Sequence, residues 1–201
     1  MPTRALAAAV AAFLLLGAAA SAGTPVTLPA LERIRVNPSP ALIEDFTLTD
    51  QTGKARTFSS LRGEPVLVFF GFTHCPNICP TALGRLKLLH ESGGGALKSA
   101  HIVLISVDGE RDTPARLKSY LAPLSPDFIG LTGDPRATAE IAARFASVFF
   151  REPAAKDGSY NVMHSTQVFA VDNAGRLRAT FVDASIEDMA TITDLLLKEP
   201  D

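Results

Sequence analysis

The chain has 201 residues, which at about 150 residues per domain favours a single core. With 47% hydrophobic and 20% charged residues, it carries too much apolar material and too little charge for a disordered protein. Its 19 basic and 21 acidic side chains leave a formal charge of -2 and are interspersed, so there is no electrostatic footprint for nucleic acid or an anionic membrane surface.

Met1 to Ala22 holds one charge, Arg4, then an apolar run from Ala5 to Ala20 and the small-residue triplet Ala20-Ser21-Ala22. That order of charged, apolar and small residues predicts a signal peptide over 1–22, hence export to the periplasm. The run falls short of the roughly 20 residues of a spanning helix, so cleavage is favoured, with an uncleaved anchor as the alternative. Residues 23–41 contain Pro25, Pro29, Pro38 and Pro40 and read as an extended lead-in without a fold of its own. The domain is then expected over 42–201.

Phe46 to Thr49 alternates apolar and polar, Asp50 to Gly53 supplies turn chemistry, and Ala55 to Phe58 runs back, which predicts a hairpin at the domain start. Val66 to Phe70 and Ile102 to Ile105 are continuous apolar runs and predict strands buried on both faces. Between them Leu83, Leu86 and Leu89 keep helical spacing until Gly93-Gly94-Gly95, so strand, helix and strand form a parallel crossover. A second helix fits Arg116 to Leu121, with Thr113 placed to cap and Pro114 in the first turn. A third fits Pro135 to Ala146, with Ile141, Ala142 and Phe145 on one face. Phe128 to Leu131 reads as a short strand. Gln167 to Val171 and Leu177 to Phe181 flank a turn, and Ile186 to Leu197 makes a last helix. The order predicts an α/β fold, one mixed sheet flanked by helices on both faces, with an N-terminal β-hairpin.

The two cysteines, Cys75 and Cys79, lie where the first buried strand hands over to the first helix, a corner at which ligands bind in open α/β sheets. Each precedes proline, which places both on a turn ahead of the helix, and unpaired N–H groups at the helix start favour thiolate over thiol. Two nearby thiolates at such a corner serve as a redox pair or as ligands of a soft metal. A static disulfide or two buried core thiols is the bland alternative, disfavoured because so local a link removes little unfolded-chain entropy. An imidazole would complete a copper site, and there are four histidines. His74 adjoins Cys75 and is expected to point away from it, into the surroundings of the ligands. His90 near a helix end and His101 opening a strand read as surface or strand-edge residues. His164 precedes a strand, and periodicity alone does not bring it back to Cys79.

The segments Phe70 to Pro80, Ser106 to Pro114, Gly130 to Gly133 and Met163-His164-Ser165 resemble the Sco/SenC family in sequence and order. The resemblance implies a thioredoxin-like fold and a copper metallochaperone for the binuclear copper centre of cytochrome c oxidase. It further implies one copper, Cu(I) or Cu(II), on Cys75, Cys79 and His164, with Asp108 near the site to orient a ligand or tune the thiols. Asp108 as a turn cap is an equal alternative. The expected partner is the apo copper-site subunit of the oxidase, joined by another periplasmic copper chaperone or a thiol reductant. Membrane contact is expected only through the oxidase or an uncleaved leader. Two positions depart from the family pattern: Asn77 stands where Asp is common and Gly109 where Pro is common. A thiol–disulfide oxidoreductase using Cys75 and Cys79 on the same oxidase subunit is the competing reading. A thiol peroxidase ranks below both, because neither cysteine is preceded by a Pro-x-x-x-Thr-x-x-Cys pattern.

Overall fold

A computed structural model describes residues 26–92 and 97–199, so the predicted leader lies outside the described residues. The strands are β1 (Ile34–Val36), β2 (Thr47–Asp50), β3 (Ala55–Thr57), β4 (Val66–Gly71), β5 (His101–Ser106), β6 (Ile129–Thr132), β7 (Phe149–Arg151), β8 (Val162–His164), β9 (Val168–Val171) and β10 (Leu177–Phe181). The α-helices among the described residues are α1 (Ile78–Ser92), α2 (Pro114–Leu121), α3 (Pro135–Arg144) and α4 (Ile186–Leu197). None of them is long and apolar enough to cross a membrane.

Eight strands form one mixed sheet in the order β1-β10-β9-β4-β5-β6-β2-β3. At its centre β4 runs parallel to β5, from Val66 opposite His101 to Gly71 opposite Ser106, and antiparallel to β9. Every residue of β4 is buried, as its unbroken apolar run requires of a strand covered on both faces. The two faces meet different helices. Gly71 lies against Phe69 and the Cys79 sulfur of α1, whereas Phe70, pointing the other way, packs its ring 5.4 Å from that of Phe145 at the end of α3. Local signals set the helix starts: Thr113 Oγ1 accepts the Arg116 N–H, Asp134 accepts from Arg136 and Ala137, and Ser185 accepts from Asp188. Leu83, Leu86 and Leu89 of α1 are all buried, the stripe that the spacing predicted.

The proline-rich lead-in is not foldless. Ile34–Val36 pairs antiparallel with Ala179 to Phe181 and forms the edge of the sheet, and Leu28 and Ile34 are buried. Pro29 and Pro38 flank this short strand instead of interrupting it, and an edge tolerates them. Nearby, the Arg178 guanidinium is buried between Asp172 and Glu199 and also donates to the Val26 carbonyl, tying both ends of the described chain to the sheet. The second unforeseen element is the hairpin of β7 and β8, which pairs Phe149 with His164 outside the main sheet.

Candidate metal centre

The cysteine segment leaves the buried end of β4 and enters α1. Cys79 lies inside the helix's first turn, not on a turn ahead of it, because that turn needs no intrahelical N–H and so accepts Pro80. This geometry aims the Cys79 backbone N–H at Cys75 Sγ, 3.4 Å away. Both thiols are free; Cys75 is half-buried and Cys79 is buried.

His164 ends β8, and the β7–β8 hairpin carries it over the corner. Its Nε2 lies 3.5 Å from Cys79 Sγ, and one ligand atom from each of Cys75, Cys79 and His164 falls within 4.8 Å of the others. His164 Nδ1 is 2.9 Å from the Ser165 carbonyl, which can only accept, so Nδ1 carries the hydrogen and Nε2 presents its lone pair to the sulfurs. The rings of Phe69 and Phe72 stand edge-on to the imidazole at 6.0 and 5.7 Å. Burial among them holds the His164 pKa below its ordinary value, against the opposing pull of the Ser165 and Phe70 backbone. The imidazole is therefore neutral near pH 7, the form a metal needs.

Cys79 departs from expectation. Burial pushes its thiol far above the ordinary range, and the neighbouring Cys75 adds to the rise, while a Phe72 backbone hydrogen bond opposes it. Desolvation outweighs the helix start, so in the metal-free protein Cys79 is a thiol whose S–H can donate to His164 Nε2.

The other predicted residues stand back from the sulfurs. His74 is exposed, with Nδ1 3.2 Å from Thr73 Oγ1 and 3.7 Å from Asp112 Oδ1. Asp108 is buried, accepts the Tyr160 hydroxyl at 2.8 Å and pairs with Arg111 Nε; its partners are these two, not the sulfurs or His164. His90 is buried rather than at the surface, 3.2 Å from the Lys98 carbonyl and edge-on to Phe128, and His101 opens β5; neither belongs to the cysteine group. Of the departures from the family pattern, Gly109 has a steric cause here: a Cβ on it would sit 1.9 Å from the Gly133 carbonyl oxygen.

Sequence reasoning passed over Tyr160, Arg111 and Asp112. Asp112 is fully buried and accepts from the Thr73 N–H, the Thr73 hydroxyl and the Ser106 hydroxyl. Both Arg111 and Asp112 lie in the same short motif as Asp108, so their spacing was visible; Tyr160 carried no local signal.

Two thiols and one neutral imidazole converge on one corner of an α/β sheet, the donor set of a protein that binds a soft or borderline metal. Comparison with known proteins places it more narrowly. The SCO1/SenC family profile matches residues 35–197. A SCO2-like protein of Rickettsia conorii is 36% identical over 148 residues, 72% of each chain. The solved structure of Bradyrhizobium japonicum ScoI with copper bound is 38% identical, covering 76% of this chain and 98% of that one, with a TM-score of 0.69. The structure of BsSco, described as a member of the Sco family of cytochrome c oxidase assembly proteins with a disulfide switch, is 27% identical, covering 83% of this chain and 99% of that one, with a TM-score of 0.66. The chain belongs to the SCO1/SenC family, and its fold is the thioredoxin-like fold of the Sco structures.

Proposed function

We propose that this protein is an exported copper metallochaperone that holds one copper ion as cargo on Cys75, Cys79 and His164. It delivers that ion to the binuclear copper site of cytochrome c oxidase during assembly. The observation that carries the reading is the convergence of the three donors within 4.8 Å. Two sulfurs with one imidazole suit both copper oxidation states, so the residues fit the cargo. The copper-bound ScoI relative and the cytochrome c oxidase assembly role of the Sco family to which BsSco belongs support the same reading.

Each residue has a distinct task. Cys79 gives up its proton on capture and sits at the buried end of the pair, where the rings of Phe69 and Phe72 shelter the neighbouring imidazole. Cys75 is the less buried residue of the two, so transfer proceeds by ligand exchange from its side. His164 supplies the nitrogen that keeps the copper(II) state bound. The partner is the apo copper-site subunit of the oxidase, met in the periplasm, with another copper chaperone or a thiol reductant acting upstream. The test is transfer: copper-loaded protein is mixed with the apo copper-site domain and separated. Copper is expected in the oxidase domain; retention by a carrier facing a domain that binds free copper refutes delivery.

A second reading is favoured by one observation, the free thiols of Cys75 and Cys79 placed with the Cys79 N–H on Cys75 Sγ. In that reading the pair is a thiol–disulfide oxidoreductase that reduces the cysteines of the same oxidase subunit. It predicts turnover on an oxidised copper-site domain that survives His164→Ala, whereas carriage of copper(II) does not survive it.

A further inference from the structure

The two halves of the metal centre come from distant parts of the chain, and one loop reaches both. That loop, between β5 and α2, starts from Ser106, whose hydroxyl accepts the Asp108 N–H at 3.1 Å and donates to Asp112 at 2.8 Å. Asp112 in turn holds Thr73, two residues before Cys75, through the Thr73 N–H at 2.9 Å and hydroxyl at 2.6 Å. In the other direction the loop grips the hairpin that carries His164. Asp108 accepts the Tyr160 hydroxyl at 2.8 Å, and Arg111 donates to the Tyr160 carbonyl at 3.0 Å. The Arg111 guanidinium lies 3.7 Å from the Tyr160 ring centroid and that of Arg151, from β7, 3.6 Å from it. Two cations this close to one centroid take opposite faces, so the ring is clamped between them. Arg151 also pairs with Glu110 of the same loop at 2.9 Å.

This arrangement asks for an explanation beyond stability. Among the described residues Arg111 Nη2 is buried without a hydrogen-bond partner, a cost that a merely stabilising ion pair has no reason to carry. What that position provides is contact on two sides: Arg111 covers Tyr160 and also lies 5.8 Å from the ring of Phe72, which stands against the His164 imidazole. Outside this grip few side chains hold the hairpin: Val162 is buried, Phe149 packs against the core and His164 itself stands between Phe69 and Phe72, while Phe150 and Met163 face solvent.

We propose that Tyr160, clamped by Arg111 and Arg151 and anchored on Asp108, is a positioning residue that fixes His164 Nε2 over the Cys75–Cys79 pair. The inference rests on the ligand set proposed above. Releasing Tyr160 lets β7–β8 move away from the corner, which leaves the two sulfurs where they are and removes the nitrogen. The clamp therefore matters for copper(II), which needs the imidazole, and little for copper(I), which two thiolates satisfy.

The test uses the purified protein with Tyr160→Leu, Tyr160→Phe and His164→Ala, alone and as the Tyr160→Leu/His164→Ala pair, each titrated with copper(I) and copper(II). Loss of a partner behind a metal ligand lowers metal affinity by about 10–100-fold. Tyr160→Leu is expected to lower copper(II) affinity to that extent, to shift the sulfur-to-copper charge-transfer band, and to leave copper(I) affinity within about threefold. Tyr160→Phe keeps the ring between the guanidiniums and should recover most of the loss. The double variant should bind copper(II) no more weakly than His164→Ala alone. Hydrogen exchange on the metal-free protein supplies a readout independent of copper: Tyr160→Leu should raise exchange over 149–151 and 162–164 and leave β4 and β5 unchanged. Unchanged exchange in the hairpin, additive losses in the double variant, or equal losses for copper(I) and copper(II) overturns the proposal. If His164→Ala keeps wild-type copper(II) affinity, the ligand set itself falls, while exchange still decides whether Tyr160 holds the hairpin.

Discussion

Gly71 and Gly84 receive the same chemical change, one added methyl, with opposite expected signs. Gly71 closes β4 beneath the metal centre, and a Cβ there would stand 2.7 Å from Phe69 Cε1, 3.0 Å from Cys79 Sγ and 3.3 Å from Leu104 Cδ1. Carbon contacts are optimal near 3.5–4.0 Å, so all three neighbours must yield. Phe69 and Leu104 are fully buried with no free volume to move into. Overpacking of this kind costs about 1–3 kcal/mol. At about 2–4 °C per kcal/mol for a chain of this size, Gly71→Ala should lower the melting temperature by roughly 2–12 °C. The cheapest relief is a shift of the Cys79 sulfur, so copper affinity should fall too. Gly84, inside α1, has nothing within 4 Å of its Cβ position. Gly84→Ala removes a helix-interior glycine and should stabilise by about 0.5–1 kcal/mol without touching copper binding. Urea denaturation of the metal-free proteins and copper titration of each check both signs. A Gly71→Ala protein as stable as the wild type, with unchanged copper affinity, would refute the close packing of β4 against Cys79.

Other expectations follow from the same geometry. Replacing Arg178 by Met leaves the buried carboxylates of Asp172 and Glu199 without the charge between them, which should cost about 3–5 kcal/mol in urea denaturation; a loss under 1 kcal/mol would mean that water reaches the cluster. Because the Cys79 thiol is held protonated by burial, copper capture releases its proton, so in Cys75→Ser, where it is the one thiol left, copper affinity should rise about tenfold for each pH unit between about pH 7 and 9; a pH-independent affinity in that variant would contradict this. The same raised value means that the unfolded chain loses its thiol proton first as the pH climbs past 9.0, so metal-free stability should fall there, and Cys79→Ala should flatten the decline. Gly109→Ala, with its Cβ 1.9 Å from a backbone oxygen, should move the loop that carries Asp108 and Arg111 and cost about 1–3 kcal/mol by thermal melting, where Gly53, at an open turn, offers the contrast of backbone strain without a clash.

Much of the scaffold was readable from pattern alone because its central elements obey simple periods. The unbroken runs at Val66 to Phe70 and Ile102 to Ile105 became the central parallel pair, and Ile186–Leu197 matches its apolar stripe. Short elements escaped: Phe149–Arg151 and Val162–His164 span three residues each, too few to display a period of two. Prolines on either side hid Ile34–Val36, although an edge strand tolerates such neighbours. The cysteine corner was legible as chemistry, while the approach of His164 rested on family likeness, since no periodicity links positions so far apart. The protonation of Cys79 was misjudged because a helix start is visible in a sequence and the depth of burial beneath it is not. Tyr160 was invisible for a similar reason: its role depends on two arginines that reach it from β7 and from the β5–α2 loop.

The central claim is that one copper ion is held by two sulfurs and one imidazole nitrogen drawn from distant parts of the chain. X-ray absorption at the copper edge of the loaded protein, compared with His164→Ala, reads those ligands directly. The account predicts two sulfur scatterers and one imidazole in the wild type, with the imidazole signature gone in the variant and both sulfurs kept. An identical spectrum from the two proteins, or one lacking sulfur, would contradict it.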